Sequence, residues 1–111
     1  MKQSPSNINK LTNFEKRVLE KVSEIPRGRV VTYKILAGAV GRPKAVRAVG
    51  NALNKNLSLI KIPCQRVIRS DGELGGYRLG SRNKLRLLEK EGIKFSGQNK
   101  VEFFKKFIYK F

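Results

Sequence analysis

Cys64 is the one thiol in the chain, and no histidine accompanies it. A thiolate is both a nucleophile and a metal ligand. Without His, however, neither a Cys-His catalytic pair nor a Cys/His zinc site can form, and a single cysteine closes no internal disulfide. The same absence removes the Ser-His arrangement of many hydrolases. What remains at Cys64 is nucleophilic chemistry by the thiol itself, or an inert buried side chain, the commoner fate of a lone cysteine. A free thiol of pKa about 8.5 is only a few per cent ionised at neutral pH, so reactivity would depend on cationic neighbours such as Arg66 or on a nearby helix N-terminus.

The second chemical signal is charge. Across 111 residues, 25 Lys plus Arg face 8 Asp plus Glu, a net +17 with a pI of about 10.6. A small domain with that surplus repels itself, and a polyanion relieves it: nucleic acid ahead of an anionic membrane surface. A solvated basic exterior is the alternative. Arg42, Lys44 and Arg47 concentrate charge in one short stretch. The apolar fraction of 40% supports a single core and leaves no room for a second large domain. No apolar run reaches the roughly 18 residues of a membrane span, and the first ten residues are polar, so a soluble, unexported, cytoplasmic protein is expected. No phosphate loop or metal cluster is evident.

These residues need elements to position them. Residues 1–10 lack periodicity and read as a flexible tail. Thr12 and Glu15 have capping-box spacing, and Leu11, Phe14, Val18 and Val22 recur at helical intervals, predicting a helix over about 12–24. Thr32 can cap a short helix to Val40 with Ile35, Leu36 and Ala39 inward, broken by Gly41. Pro43 suits the first turn of a third helix, whose apolar stripe is Ala45, Val46, Val49, Ala52 and Leu53, ending near Asn54. Two short helices across a Gly-containing turn read as helix-turn-helix. Ala45, Ala48, Gly50 and Ala52 are small, so the second helix can approach another surface closely, or pack tightly on its own neighbours. Leu57 to Ile62 reads as extended and Ser70-Asp71-Gly72 as a turn. Ser81 can cap a helix bearing Leu85, Leu87 and Leu88 and ended by Gly92. Five of the nine aromatic residues fall in 103–111, where Val101, Phe104, Ile108 and Phe111 keep helical spacing. Residues 98–111 are therefore expected to form a packed aromatic amphipathic helix.

Ile62-Pro63-Cys64-Gln65-Arg66-Val67, with Thr32-Tyr33 and Arg47-Ala48-Val49-Gly50 before it and Gly75-Gly76-Tyr77 and Lys84-(x)2-Leu87-Leu88-(x)2-Glu91 after it, resembles the DNA-binding and active-site domain of O6-alkylguanine-DNA alkyltransferases. The resemblance covers Leu11 to Phe95. It lacks the N-terminal domain of full-length members, and in that respect is similar to the shorter alkyltransferase-like proteins. The resemblance implies a mainly helical α/β fold, a winged-helix-like helix-turn-helix domain with a small strand pair over residues 11–97. It implies no cofactor, and as partner a duplex DNA containing O6-alkylguanine.

The resemblance also implies roles. Cys64 is the acceptor that takes the alkyl group irreversibly, in one turnover. Arg47 enters the base stack in place of the flipped nucleotide, although a phosphate contact is its ordinary alternative; Tyr33 crowds the phosphate, or packs at a helix cap. Arg42, Lys44, Ala48 and Gly50 belong to the DNA-binding face, which family members set in the minor groove. Asn56 ties the helix-turn-helix to the active-site turn, or is a helix C-cap. Val67, Gly76, Tyr77 and Arg78 form the wall and lid of the base pocket. Glu91 is the relay carboxylate, or a surface residue at a helix end.

Two positions depart from the pattern. Gln65 replaces the relay His and cannot act as a base, which slows transfer. Arg78 replaces a small hydroxyl residue, which narrows the pocket or adds a phosphate contact. In the short alkyltransferase-like group the cysteine itself is replaced, commonly by Trp, whereas Cys64 is kept here. Three functions follow: single-turnover alkyl transfer to Cys64; a damage sensor that holds the lesion for a repair-protein partner; and a basic helix-turn-helix regulator or ribosome-associated protein, against which Arg47 and Tyr33 argue.

Overall fold

A computed structural model describes residues 11–56, 61–97 and 99–111. The expected tail over 1–10 and most of the expected extended stretch from Leu57 lie outside them. Helix α1, Asn13–Ser23, begins on the anticipated capping box: Thr12 Oγ1 accepts from the Glu15 N–H at 3.0 Å, and Glu15 Oε1 accepts from the Thr12 N–H at 2.9 Å. These bonds satisfy two donors that a helix start leaves unpaired. Val18 and Val22 point from α1 into the core.

Strand β1, Val31–Thr32, runs directly into α2, Tyr33–Ala39, where Thr32 Oγ1 accepts from the Ile35 N–H at 3.0 Å. Leu36 and Ala37 are the fully buried residues of α2, while Ile35 and Ala39 are half-buried. Helix α3 is Val46–Asn54, shorter than expected. Pro43 lies in the preceding turn, because the Ala45 N–H bonds back to the Arg42 carbonyl before the helix starts. Val49, Ala52 and Leu53 face inward as anticipated, whereas Val46 is 39% exposed.

After α3 the chain passes through a 3-10 turn, Cys64–Arg66, into β2, Val67–Ile68, which pairs in parallel with β1 through Val31↔Val67 and Thr32↔Ile68. Helix α4, Ser81–Lys90, is preceded by Gly80 rather than capped by Ser81, which is its first helical residue. It ends on Gly92, whose φ of +92° lets the Ile93 N–H return to the Leu88 carbonyl.

The C-terminal segment is not the expected helix. Strand β3, Phe95–Ser96, pairs antiparallel with β4, Lys100–Val101, across the boundary placed at residue 97; a 3-10 turn at Phe104–Phe107 follows, and Ile108 then runs parallel to Val30. Buried Val30 explains this course. Its N–H donates to the Phe107 carbonyl at 2.9 Å and its carbonyl accepts from the Tyr109 N–H at 2.8 Å, bonds that a helical tail would spend on itself. Two apolar clusters result. Helices α1 to α3 and the Cys64 segment enclose one, and Val30, Ile68, Leu74, Leu88, Ile93 and Val101 form the other, with Phe104, Phe107 and Ile108 packed onto it. Among the described residues, no helix is long and apolar enough to cross a membrane.

Candidate active site

The β1–β2 pair sets the site. β1 delivers Tyr33 at the start of α2, and β2 begins one residue after the Cys64–Arg66 turn, so two segments distant in sequence meet at a cavity of about 550 Å³. Helix α3 forms one wall with Val46, Arg47 and Gly50, and Gly75, Gly76, Tyr77 and Arg78 form the opposite lid. Gly75 is required there. Its φ is +73°, and a Cβ would lie 3.0 Å from the Tyr33 ring. Tyr33 Oη donates to the Gly76 carbonyl at 3.3 Å, and burial raises the pKa of its phenol.

Cys64 is 5% exposed and lines the cavity. Asn56 Nδ2 donates to its Sγ at 3.0 Å and to the Ile62 carbonyl at 2.9 Å, so the buried asparagine beyond α3 braces the cysteine segment. Burial pushes the thiol up to about 11, against the smaller opposing effects of the Asn56 hydrogen bond and the Lys84 charge. Arg66 does not supply the expected activation. Its Nε and Nη2 donate to Glu91 at 2.9 and 2.8 Å and its Nη1 to the Ile25 carbonyl at 2.6 Å, so the cation is spent on a structural clamp. Glu91 also accepts from Gln65 Nε2 at 3.1 Å. Gln65 thus follows Cys64 in sequence and binds Glu91, but an amide passes no proton to the carboxylate.

The remaining anticipated positions divide. Arg47 is exposed at the cavity wall, and Gly50 lines it further along α3. Ala48 is exposed on α3 outside the lining, Lys44 is exposed in the preceding turn, and the Arg42 guanidinium stacks over the Phe14 ring at 5.5 Å. Val67 is fully buried in the core and pairs with Val31; it is not among the cavity-lining residues, because the strand turns its side chain into the apolar cluster.

Lys84 carries a role that the sequence reading did not assign. It is fully buried on α4, and its Nζ donates to the carbonyls of Val67 at 2.6 Å, Gly76 at 3.0 Å and Leu74. Three acceptors match the three donors of an ammonium. Burial nevertheless lowers its pKa to about 7, with the Cys64 charge opposing the shift. Lys84 thereby staples the lid to β2 beside the thiol. The available signal was its place four residues before Leu88 on the buried face of α4.

A family model described as the DNA-binding domain of 6-O-methylguanine DNA methyltransferase matches residues 13–93. A methylated-DNA--protein-cysteine methyltransferase of Methanothermobacter thermautotrophicus is 49% identical over 88 residues, 78% of this chain and 48% of that protein. The chain thus spans about half that relative's length. Among solved structures, S. pombe Atl1 in complex with damaged DNA containing O6-carboxymethylguanine aligns with a TM-score of 0.79 at 28% identity, over 90% of this chain and 97% of that one. Mycobacterium tuberculosis OGT in complex with DNA aligns at 0.72 and 41% identity, over 74% of this chain and 50% of that one. The matched span covers most of the chain, and the chain belongs to the 6-O-methylguanine DNA methyltransferase family and carries that family's DNA-binding domain.

Proposed function

We propose that this protein repairs O6-alkylguanine in duplex DNA by moving the alkyl group to Cys64, once per molecule. The carrying observation is Cys64 at a cavity between the Arg47 helix and the Tyr77 lid, with its sulfur held by Asn56. A guanine must leave the stack before such a cavity can receive it, and Arg47, exposed on a helix poor in bulky side chains, is placed to fill the gap. Basic residues of the helix-turn-helix bind the phosphates.

The thiol loses its proton, and the thiolate attacks the carbon bonded to O6. The carbon–sulfur bond forms as the carbon–oxygen bond breaks, and its electron pair stays on the guanine, which is neutralised by taking a proton. No second reactant regenerates the thiol. Transfer is slow. At a pKa of about 11 only about one thiol in ten thousand is ionised at neutral pH, and Gln65 offers no base.

That slowness favours a second reading, in which the protein holds the lesion for a repair partner and transfer is incidental. Binding of undamaged and O6-methylguanine duplexes tests what both share. Affinity for either should fall tenfold or more between about 50 and 200 mM salt, with the lesion preferred. Arg47→Ala should lose the preference more than the binding. A flat salt response with no lesion preference would overturn both readings.

A further inference from the structure

Arg78 follows Tyr77 in the lid and lines the cavity with Cys64. Its Nη1 donates to the Asn56 carbonyl at 2.6 Å, and the Asn56 amide donates to the acceptor sulfur at 3.0 Å. One residue therefore bridges the guanidinium and the thiol. A guanidinium has five N–H donors, and among the described residues this one commits a single nitrogen. Among the described residues the lining contains two further arginines, Arg47 and Arg69, and no carboxylate. Of these Arg69 already faces Asp71 at 3.4 Å, on the exposed surface.

We propose that Arg78 determines specificity, selecting O6-adducts that end in a carboxylate, of which carboxymethyl is the smallest, over neutral adducts of the same size. The inference rests on the lesion-binding reading above. For a carbon on O6 to meet Cys64 Sγ, the rest of the adduct must lie among the residues flanking the sulfur, where Asn56 anchors Arg78. A carboxylate there accepts charge-assisted hydrogen bonds from the free guanidinium edge, in the planar two-oxygen geometry that suits arginine. A neutral adduct shields the guanidinium from water and returns nothing.

The test compares duplexes carrying guanine, O6-methylguanine, O6-carboxymethylguanine and the neutral, near-isosteric O6-carbamoylmethylguanine. Dissociation constants are measured by fluorescence anisotropy in a Cys64→Ala background, so that transfer does not consume the complex. With Arg78 present, carboxymethyl should bind about tenfold more tightly than carbamoylmethyl, the usual scale of a charge-assisted pair. Arg78→Gln, which keeps a donor for Asn56, should bring that ratio to about one, and Arg78→Lys should leave an intermediate value. Thermal melting verifies that each variant is folded. An unchanged ratio in Arg78→Gln overturns the proposal. So does an equal loss on all four duplexes, which would make Arg78 a phosphate contact. Lesion duplexes bound no better than undamaged DNA when Arg78 is present would instead overturn the lesion-binding reading, and this inference with it.

Discussion

The Asn56 side chain reaches the Cys64 sulfur across 3.0 Å, although Asn56 follows α3 and Cys64 opens the turn into β2. This N–H supports the thiolate more than the thiol, and it opposes the burial that raises the pKa. Asn56→Leu should therefore slow alkylation of Cys64 by a small thiol reagent at about pH 8, and slow alkyl transfer with it. It should also cost about 1–3 kcal/mol of stability, because the Ile62 carbonyl loses its donor. Reagent kinetics beside a denaturant melt separate the two effects. An unchanged alkylation rate in a folded variant would remove Asn56 from the chemistry.

Lys84→Met should unfold the protein more easily than any exposed lysine substitution, by about 3 kcal/mol or more. It strands the buried carbonyls of Val67 and Leu74 without a donor, and takes one from the part-buried Gly76 carbonyl. The lid should loosen first. Hydrogen exchange at residues 74–77 reads this directly, and unchanged protection there would show that the lid holds without its staple.

Residues 94–111 lie beyond the span matched by the family model, yet they complete the fold. Removing residues 98–111 should lower the melting temperature or cause aggregation, since it unpairs both backbone groups of Val30 and uncovers the apolar cluster beneath Phe104, Phe107 and Ile108. Phe103→Ser should cost little by comparison, because Phe103 is 66% exposed and sits at a left-handed φ of 52°. A truncated protein of equal stability and solubility would contradict this account of the tail.

What the sequence made legible was local. Thr12 with Glu15, Thr32 with Ile35, and Gly92 after α4 act within a few residues, and their patterns survive into the structure. The structure brings Cys64, Tyr33, Arg47 and Tyr77, each singled out in the sequence, around one cavity. What remained hidden depends on distant partners. Arg66 reads as a free cation until Glu91 and the Ile25 carbonyl claim it. Lys84 stands in the sequence only as part of a motif with Leu87, Leu88 and Glu91, and its role emerges where three carbonyls converge on it. Helical spacing in the tail yields to the open edge at Val30. In each case a buried hydrogen-bonding group, invisible in a linear pattern, outweighed local preference.

Whether Cys64 accepts the alkyl group is read from the mass of the protein after incubation with O6-methylguanine duplex, with peptide mapping to locate any addition. One methyl group should appear, on Cys64 alone. The rate should climb about tenfold per pH unit from neutral to about pH 10, since the thiol stays mostly protonated below its pKa of about 11. Gln65→His should raise the neutral rate by about 10- to 1000-fold, and adding Glu91→Gln should cancel most of that gain. No methyl on Cys64 after long exposure near pH 10, with lesion binding intact, would contradict the account and leave the protein a sensor.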